Sequence, residues 1–184
     1  MSWQIDQAHS HIQFAVRHMM ISTVRGEFEK FNGTIDFDPE NPEQSQVSVR
    51  IDAASINTRQ PDRDNHLRSA DFFNVEEYPV LLFESKRIER LGDNRGRVVG
   101  DLTIRDVTRE VVLDVEYAGM ARSPWGTTSA GFSATTTLDR KEWGLTWNQA
   151  LETGGVLVGD KIKVDIEIEL VKQEEEAPTA STAD

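Results

Sequence analysis

The residues with the greatest chemical potential lie together in one short polar segment. Arg63, Asp64 and His66 fall within four consecutive positions. A carboxylate and an imidazole this close could form an acid–base pair in a closed site, where surroundings tune their pKa values. The alternative is structural: Arg63 and Asp64 form a salt bridge that holds a helix over the end of the domain, with Leu67 packed beneath. The structural interpretation is favoured, and it is compatible with the other because a helix that covers an opening can also line it.

Histidine also suggests metal binding, since imidazole is the commonest neutral metal ligand in proteins. The chain has four histidines, and His9 and His11 are two positions apart, on one face of a strand. However, no HExxH-type pattern occurs, and histidines at strand ends usually bond to the backbone or to a carboxylate. We therefore expect no metal site and no cofactor.

Other catalytic and nucleotide-binding signatures are missing from the sequence. It contains no G-x-S-x-G nucleophile elbow, no Ser-x-x-Lys pair and no glycine-rich phosphate loop. There is no cysteine, which excludes thiolate and disulfide chemistry. A formal net charge of -12 opposes broad contact with nucleic acid or an anionic membrane. An acidic ligand group would therefore need a local basic patch.

Seven or eight short runs alternate apolar and polar residues, which is typical of strands with one buried face. The clearest run is the last, where five apolar residues alternate with charged ones: Ile162, Val164, Ile166, Ile168 and Leu170. A change of phase between Phe28 and Phe31 predicts a bulge near residues 29–30. We predict strands at 12–18, 26–38, 47–55, 80–88, 97–105, 109–117, 127–138 and 162–170.

One helix interrupts these strands. Pro61 suits the first turn of a helix, and Asp62 and Asp64 suit its positive end, so a short helix to about Ser69 is predicted. Residues 93–96 predict a hairpin turn, and the spacing of Trp143 and Trp147 would allow a helical turn over one barrel mouth.

The chain is predicted to be one domain, residues 1–172, followed by a disordered acidic tail at 173–184. Its first residues show no signal-peptide features, and no run is apolar enough to span a membrane. We therefore expect a cytoplasmic protein without stable membrane insertion. The fold class is all-β, a closed antiparallel barrel with one inserted helix. Phenylalanines mixed with small residues such as Ala130 and Ala134 favour a hollow barrel, and a filled one stays open as the alternative.

Residues 3–172 resemble the YceI family of polyisoprenoid-binding, lipocalin-like proteins. The resemblance rests on the number and order of short motifs, chiefly Trp3-x-Ile5-Asp6-x-x-His9-Ser10-x-Ile12-x-Phe14-x-Val16-x-His18, Gly26-x-Phe28, Phe31-x-Gly33, Arg63-Asp64-x-His66-Leu67-Arg68-Ser69-x-Asp71-Phe72-Phe73, Asp139-Arg140-x-x-x-Gly144-Leu145 and Gly154-Gly155-Val156-Leu157-Val158-Gly159-Asp160. In one departure, Asp106 occupies the place where the family usually has glycine. Glycine there suits a hairpin with positive φ, which aspartate tolerates better than most residues.

The resemblance implies an eight-stranded, lipocalin-like barrel that holds the tail of a long isoprenoid, of the quinone or polyprenyl phosphate type, in an apolar channel. It implies a carrier or sequestering protein, with an enzyme acting on an apolar substrate in the same cavity as the alternative, and it allows a homodimer. A phosphorylated head would be met by Arg63, His66 and Arg68, or second by Arg17, His18 and Arg25. The expected ligand-binding residues are Phe14, Val16, His18, Phe28, Phe31, Ile35, Arg63, His66, Phe72, Phe83 and Phe132, with Arg63 and Asp64 also structural.

Overall fold

The computed structural model describes residues 2–172, and most of their regular structure is β-strand. The predicted tail at 173–184 lies outside the described residues. A single α-helix, α1 (Pro61–Arg68), occurs within the described part, together with four short 3₁₀ turns. The strand segments are β1 (Ser2–Ile5), β2 (His11–His18), β3 (Ser22–Phe28), β4 (Phe31–Asp36), β5 (Gln46–Asp52), β6 (Ile56–Asn57), β7 (Val80–Gly92), β8 (Arg95–Ile104), β9 (Val107–Arg122), β10 (Thr128–Asp139) and β11 (Val158–Lys172).

These segments form the eight strands of a closed antiparallel barrel, which confirms the predicted fold. β1 and β2 pair with successive parts of β11, so they are two halves of one interrupted strand. The same holds for β3 with β4 and for β5 with β6, because β4 pairs with β1 and β5 while β3 pairs with β2 and β6. The sheet closes at β11, which pairs with β10 on its other side.

The break between β3 and β4 lies at residues 29–30, where the change of apolar phase predicts it. Short polar bonds hold the bent chain there. The Asp52 amide donates to the Lys30 carbonyl at 2.9 Å, and the Lys30 amide donates to the Ser55 hydroxyl at 3.0 Å. Such interruptions bend strands and help a sheet to close.

Helix α1 follows from its local sequence. Pro61 occupies the first turn, where its missing amide proton is not needed. The Gln60 side chain accepts a hydrogen bond from the Arg63 amide at 2.8 Å and so caps the amino end. At the other end, the Ser69 amide and hydroxyl both donate to the His66 carbonyl.

Several turns differ from the predictions. The β7–β8 hairpin is tighter, because both strands extend to within two residues of each other and Asn94 takes a φ of 63°. In the β8–β9 turn the positive φ of 57° falls on Arg105, while Asp106 is not among the positive-φ residues. The predicted helical turn over the mouth is a short 3₁₀ turn at Arg140–Trp143, and it ends before Trp147.

The barrel has two ends, which we name by their connections. The helix end carries α1, the β2–β3 turn, the β8–β9 turn and the connection 140–157; the hairpin end carries the β7–β8 turn, the β9–β10 turn and the connection between β4 and β5. Aromatic and aliphatic residues pack into a small cluster at the hairpin end: Trp3, Ile35, Phe37, Ala130 and Leu170. In residues 2–172, no helix combines the length and the apolar character needed to cross a membrane.

Candidate ligand-binding cavity

The barrel is hollow. It encloses an elongated apolar cavity of about 770 Å³, which is within the range of roughly 300–1,000 Å³ typical of small-molecule sites. A filled barrel would leave no ligand-sized void, so that alternative is wrong. The void exists because the inward positions include both rings and small side chains such as Ala134. The small side chains are too short to fill the centre of the barrel.

Strand alternation makes the wall apolar. The alternating apolar residues of β11, predicted from the sequence, all line the cavity: Ile162, Val164, Ile166, Ile168 and Leu170. Their neighbours Lys163, Asp165 and Glu167 point to the other face, since successive side chains alternate across a sheet. The two-residue period of β11 thus gives this strand both a charged outer face and an apolar inner face.

Phenylalanine rings continue this wall on β2 and β3. The rings of Phe14 and Phe28 lie 5.7 Å apart, and Phe28 meets Phe73 edge to face at the same distance. Gly26 faces Phe14 across the strand pair, and any side chain at Gly26 would collide with that ring and with the methyl group of Thr58. Gly26 is therefore needed for the close approach of the ring to the backbone.

The helix end is held by a buried polar cluster around Thr58. The Thr58 amide and hydroxyl both donate to Asp64 Oδ1, at 2.8 and 2.5 Å. Arg63 Nε donates to the same hydroxyl, and Arg63 Nη2 donates to the Thr58 carbonyl, both at 2.8 Å. Thr58 and Asp64 are each at least 94% buried. The predicted salt bridge between Arg63 and Asp64 is therefore wrong: both side chains bind Thr58, because its hydroxyl can accept from one and donate to the other.

His66 stands on the cavity wall with a different carboxylate partner. Its Nε2 lies 2.8 Å from Asp71 Oδ2, and its ring packs edge-on against Trp147 and Phe72, with centroids 4.5 and 5.2 Å away. Asp64 is bound to Thr58 instead. The acid–base pair of Asp64 and His66 that the sequence allowed is thus not assembled.

The cavity also reaches the hairpin end. Three arginines at or beside the β7–β8 turn border it there, Arg90, Arg95 and Arg97. Arg97 Nε lies 3.3 Å from Asp114, and Arg90 lies 3.7 Å from Asp93. Tyr117 lines the same region, and burial raises the pKa of its hydroxyl. The void therefore runs from one end of the barrel to the other, with cations at both.

The comparisons with known proteins agree with this architecture. The family model of the YceI-like domain matches residues 3–170. The chain belongs to the YceI-like family. A UPF0312 protein of Staphylococcus epidermidis is 40% identical over 168 residues, which cover 91% of this chain and 95% of that protein.

Two solved structures show the same YceI-like barrel. The YceI protein of Campylobacter jejuni is 35% identical, with a TM-score of 0.75 over 86% of this chain and 90% of that one. A polyisoprenoid-binding domain from Saccharophagus degradans has a TM-score of 0.64 over 93% and 98% of the two chains. At 14% identity, the second likeness concerns the fold alone.

Most residues that the sequence singled out as ligand-binding border the cavity of this YceI-like protein. They are Phe14, Val16, His18, Phe28, Ile35, Arg63, His66, Phe72, Phe83 and Phe132. Phe31 does not border it; its ring is buried among the core residues directly after the strand break. Of the other basic candidates, Arg17 borders the cavity, whereas Arg25 and Arg68 do not. Arg68 is bound to the backbone carbonyls of Ala54 and Ile56, at 2.9 and 3.1 Å.

Sequence reasoning missed the role of Arg140. Its side chain is 4% exposed and borders the cavity, and its guanidinium donates to four backbone carbonyls, those of Leu145, Trp147, Val158 and Gly159. Asp160 Oδ1 lies 3.7 Å away. Burial lowers the pKa of Arg140, while Asp160 and Asp139 oppose that change. The available signal in the sequence was an arginine inside the Asp139–Leu145 motif.

The two histidines that the sequence placed on one strand face, His9 and His11, lie in different elements. His9 lies in a 3₁₀ turn and His11 in β2. His9 Nδ1 instead lies 2.7 Å from Asp6 Oδ2 and 3.6 Å from Glu169. The Asp6 hydrogen bond and the two nearby charges raise the pKa of His9, and the same bond lowers the pKa of Asp6. One imidazole and two carboxylates are chemically able to hold a divalent cation, but a hydrogen-bonded ion pair accounts for this geometry.

Proposed function

We propose that this YceI-like protein binds a long isoprenoid lipid, of the quinone or polyprenyl phosphate type, in its cavity and carries or sequesters it. The observation that supports this most strongly is the elongated apolar void through the barrel. The structural neighbour from Saccharophagus degradans is described as a polyisoprenoid-binding domain, and it shares this fold. A branched hydrocarbon chain is the ligand class that matches such a wall.

The energetics of the wall favour a hydrocarbon tail. Each buried methylene contributes about 0.8 kcal/mol, so a few isoprene units offset the entropy lost when a flexible chain is immobilised. The cavity wall presents few polar groups that would need partners from the ligand. Selectivity would then depend on the length and width of the channel.

The head group would lie at the helix end, where His18, His66 and Arg17 border the cavity. Arg63 borders it too, but its Nε and Nη2 are already bound to Thr58. A phosphorylated head would need a cation, whereas a quinone head would need one or two hydrogen bonds. Replacing Arg17 with Gln separates these ligands: binding of a polyprenyl phosphate should weaken about tenfold, and binding of a quinone should not change.

A carrier fits the polar groups better than an enzyme does. Asp64 is bound to Thr58, and His66 is bound to Asp71, so the two groups do not form a catalytic pair. Replacing His66 with Ala tests this directly. A carrier should keep most of its affinity for the tail, whereas an acid–base enzyme should lose roughly two to four orders of magnitude in rate.

Filling the void is the decisive experiment. Ala134 lines the cavity and Thr135 is the next residue on β10, on the exposed outer face. Ala134→Phe should reduce uptake of a prenylquinone at least about tenfold, while the matched Thr135→Phe should not. Uptake is measured by organic extraction and native mass spectrometry of protein purified without detergent, and circular dichroism checks that both variants fold.

Two results would overturn the proposal. The first is wild-type protein that is repeatedly empty and takes up no added isoprenoid. The second is an equal loss of uptake in the two variants, which would place binding outside the cavity.

A further inference from the structure

We propose that the β2–β3 turn is a contact surface for a lipid bilayer, through which the cavity receives and returns its ligand. We call residues 19–21 the methionine tip; they are Met19, Met20 and Ile21. This inference rests on the proposed function, because a bilayer is where an isoprenoid lipid would be stored. It adds a surface and a partner that the cavity does not reveal.

The methionine tip exposes large apolar side chains together. Ile21 is 80% exposed, Met20 59% and Met19 41%. Val156, from the facing connection, is also exposed, and Met20 rests on Gly155 so closely that a side chain there would collide with its sulfur. Single exposed apolar residues are common, but a contiguous group at the end of a turn is typical of an interaction site.

The backbone of the tip shows that these side chains are not needed for the turn itself. Met19 and Met20 have φ values of 53° and 65°, and the Ile21 amide closes the turn on the His18 carbonyl at 3.2 Å. A hairpin with two positive φ angles favours Asn-Gly, because side chains are strained there. Two methionines at these positions keep a strained backbone and present apolar groups to the outside. Strain of this kind is concentrated at functional sites.

The tip is continuous with the helix-end rim of the cavity. Arg17 and His18 precede it and border the cavity, as does Leu157, whose carbonyl accepts a hydrogen bond from the Met19 amide at 2.8 Å. Trp147 borders the same rim, and tryptophan is favoured at the membrane–water interface. A lipid that leaves a bilayer at the tip would reach the cavity without crossing bulk water, which matters because apolar chains are costly to hydrate.

Local charge selects a bilayer as the partner. Residues 15–25 carry Arg17 and Arg25 and no acid, and residues 143–159 carry Glu152 as their one charge. Two positive charges and one negative charge give +1, on a chain of net charge -12. The tip thus carries a small positive local charge on an acidic molecule, so an anionic membrane attracts it weakly. A stable protein interface needs about 20–30 residues on each side, far more than this tip offers.

The experiment compares the double variant Met20→Ser, Ile21→Ser with Trp125→Ser. Trp125 is 82% exposed at the hairpin end, so its variant removes a similar apolar group far from the tip. Binding to vesicles of equal parts phosphatidylcholine and phosphatidylglycerol is measured by cosedimentation, and uptake of a prenylquinone from those vesicles by stopped-flow fluorescence. We expect the tip variant to bind and take up at least about tenfold less, and Trp125→Ser to match the wild type.

Binding of farnesol in vesicle-free solution, followed by tryptophan fluorescence, separates the two proposals. The tip residues do not line the cavity, so the tip variant should bind farnesol as the wild type does, which also shows that it is folded. The membrane proposal is overturned if the wild type does not bind vesicles, if the tip variant binds them normally, or if Trp125→Ser loses as much. If vesicle binding depends on the tip but the wild type binds neither farnesol nor prenylquinone, the membrane contact surface is supported and the proposed isoprenoid function is wrong.

Discussion

The two ends of the barrel are closed by different physical means. At the helix end, separate short elements are held by hydrogen bonds from buried polar side chains, as Arg140 and Asp64 show. At the hairpin end, continuous strands are held by packed rings, with Phe37 in contact with Trp3, Tyr117 and Phe132 at centroid distances of 5.0–5.8 Å. The hydrogen bonds at the helix end can break one at a time, whereas the packed rings at the hairpin end must separate together. The helix end is therefore the better place for ligand exchange.

The largest expected effect is at Arg140. Replacing it with Met leaves four carbonyls without their donor and removes one of the two cations beside Asp160, which should lower the free energy of unfolding by about 3–5 kcal/mol. The matched control is Arg97→Met at the hairpin end, where the exposed pair with Asp114 is worth less than about 1 kcal/mol. Urea unfolding of both variants measures the difference, and equal losses would remove the contrast between the ends.

The second effect concerns the Thr58 cluster. Asp64→Asn places an amide where a carboxylate accepts two bonds, so the free energy of unfolding should fall by roughly 1–3 kcal/mol. Thr58→Val, combined with it in a double-mutant cycle, should show strong coupling because the two residues share those bonds. Additive losses in chemical denaturation would mean that the cluster does not act as a unit.

A third substitution tests the packed end. Phe37→Leu removes three ring contacts, and it should cost roughly 2 kcal/mol in the free energy of unfolding. Amide exchange should stay slow at the helix end of this variant, because the void separates the two ends. Loss of protection around α1 would show instead that both ends open together.

The smallest effect lies outside the cavity, at His9 and Asp6. The pKa of His9 is raised in the folded state, so its contribution to stability is present below its ordinary value of 6.5 and is lost as pH rises through the raised pKa. The pKa of Asp6 is lowered, so its contribution is present above 3.8 and is lost as pH falls through the lowered pKa. The pair therefore stabilises most between these two values.

Thermal unfolding midpoints of wild type and His9→Gln, measured from acidic to alkaline pH, check this window. Their small difference should peak between the two pKa values and vanish at high pH. A difference that grows with pH would contradict the assigned pair.

Local patterns were sufficient wherever neighbouring residues decide the structure. The alternation from Ile162 to Leu170 identified a strand and its inward face, because side-chain direction in a strand has a period of two. Pro61 located the start of α1, and the change of phase after Phe28 located the strand break. These signals place much of the cavity wall, and ten of the eleven residues that the family resemblance led us to expect at the ligand border the cavity.

The choice of hydrogen-bond partners was beyond such patterns. The adjacency of Arg63 and Asp64 predicted a salt bridge. Each side chain instead binds Thr58, which lies between β6 and α1. Arg140 finds its carbonyl partners in two segments that only the folded connection brings together. Phe31 has the same inward pattern as its neighbours but is covered by other core residues.

Residue order alone thus specified the class of the fold, the apolar face of each strand and the single helix, since these depend on periodicity and on short-range capping. Only the closed barrel decided that its rings would leave a void and that a methionine turn would lie on the rim. It also decided that Arg63 and Asp64 would bind Thr58 instead of each other, and that Arg140 would bind backbone carbonyls. The reason is that packing and hydrogen-bond choice depend on which segments meet in space, and that is a property of the whole sheet.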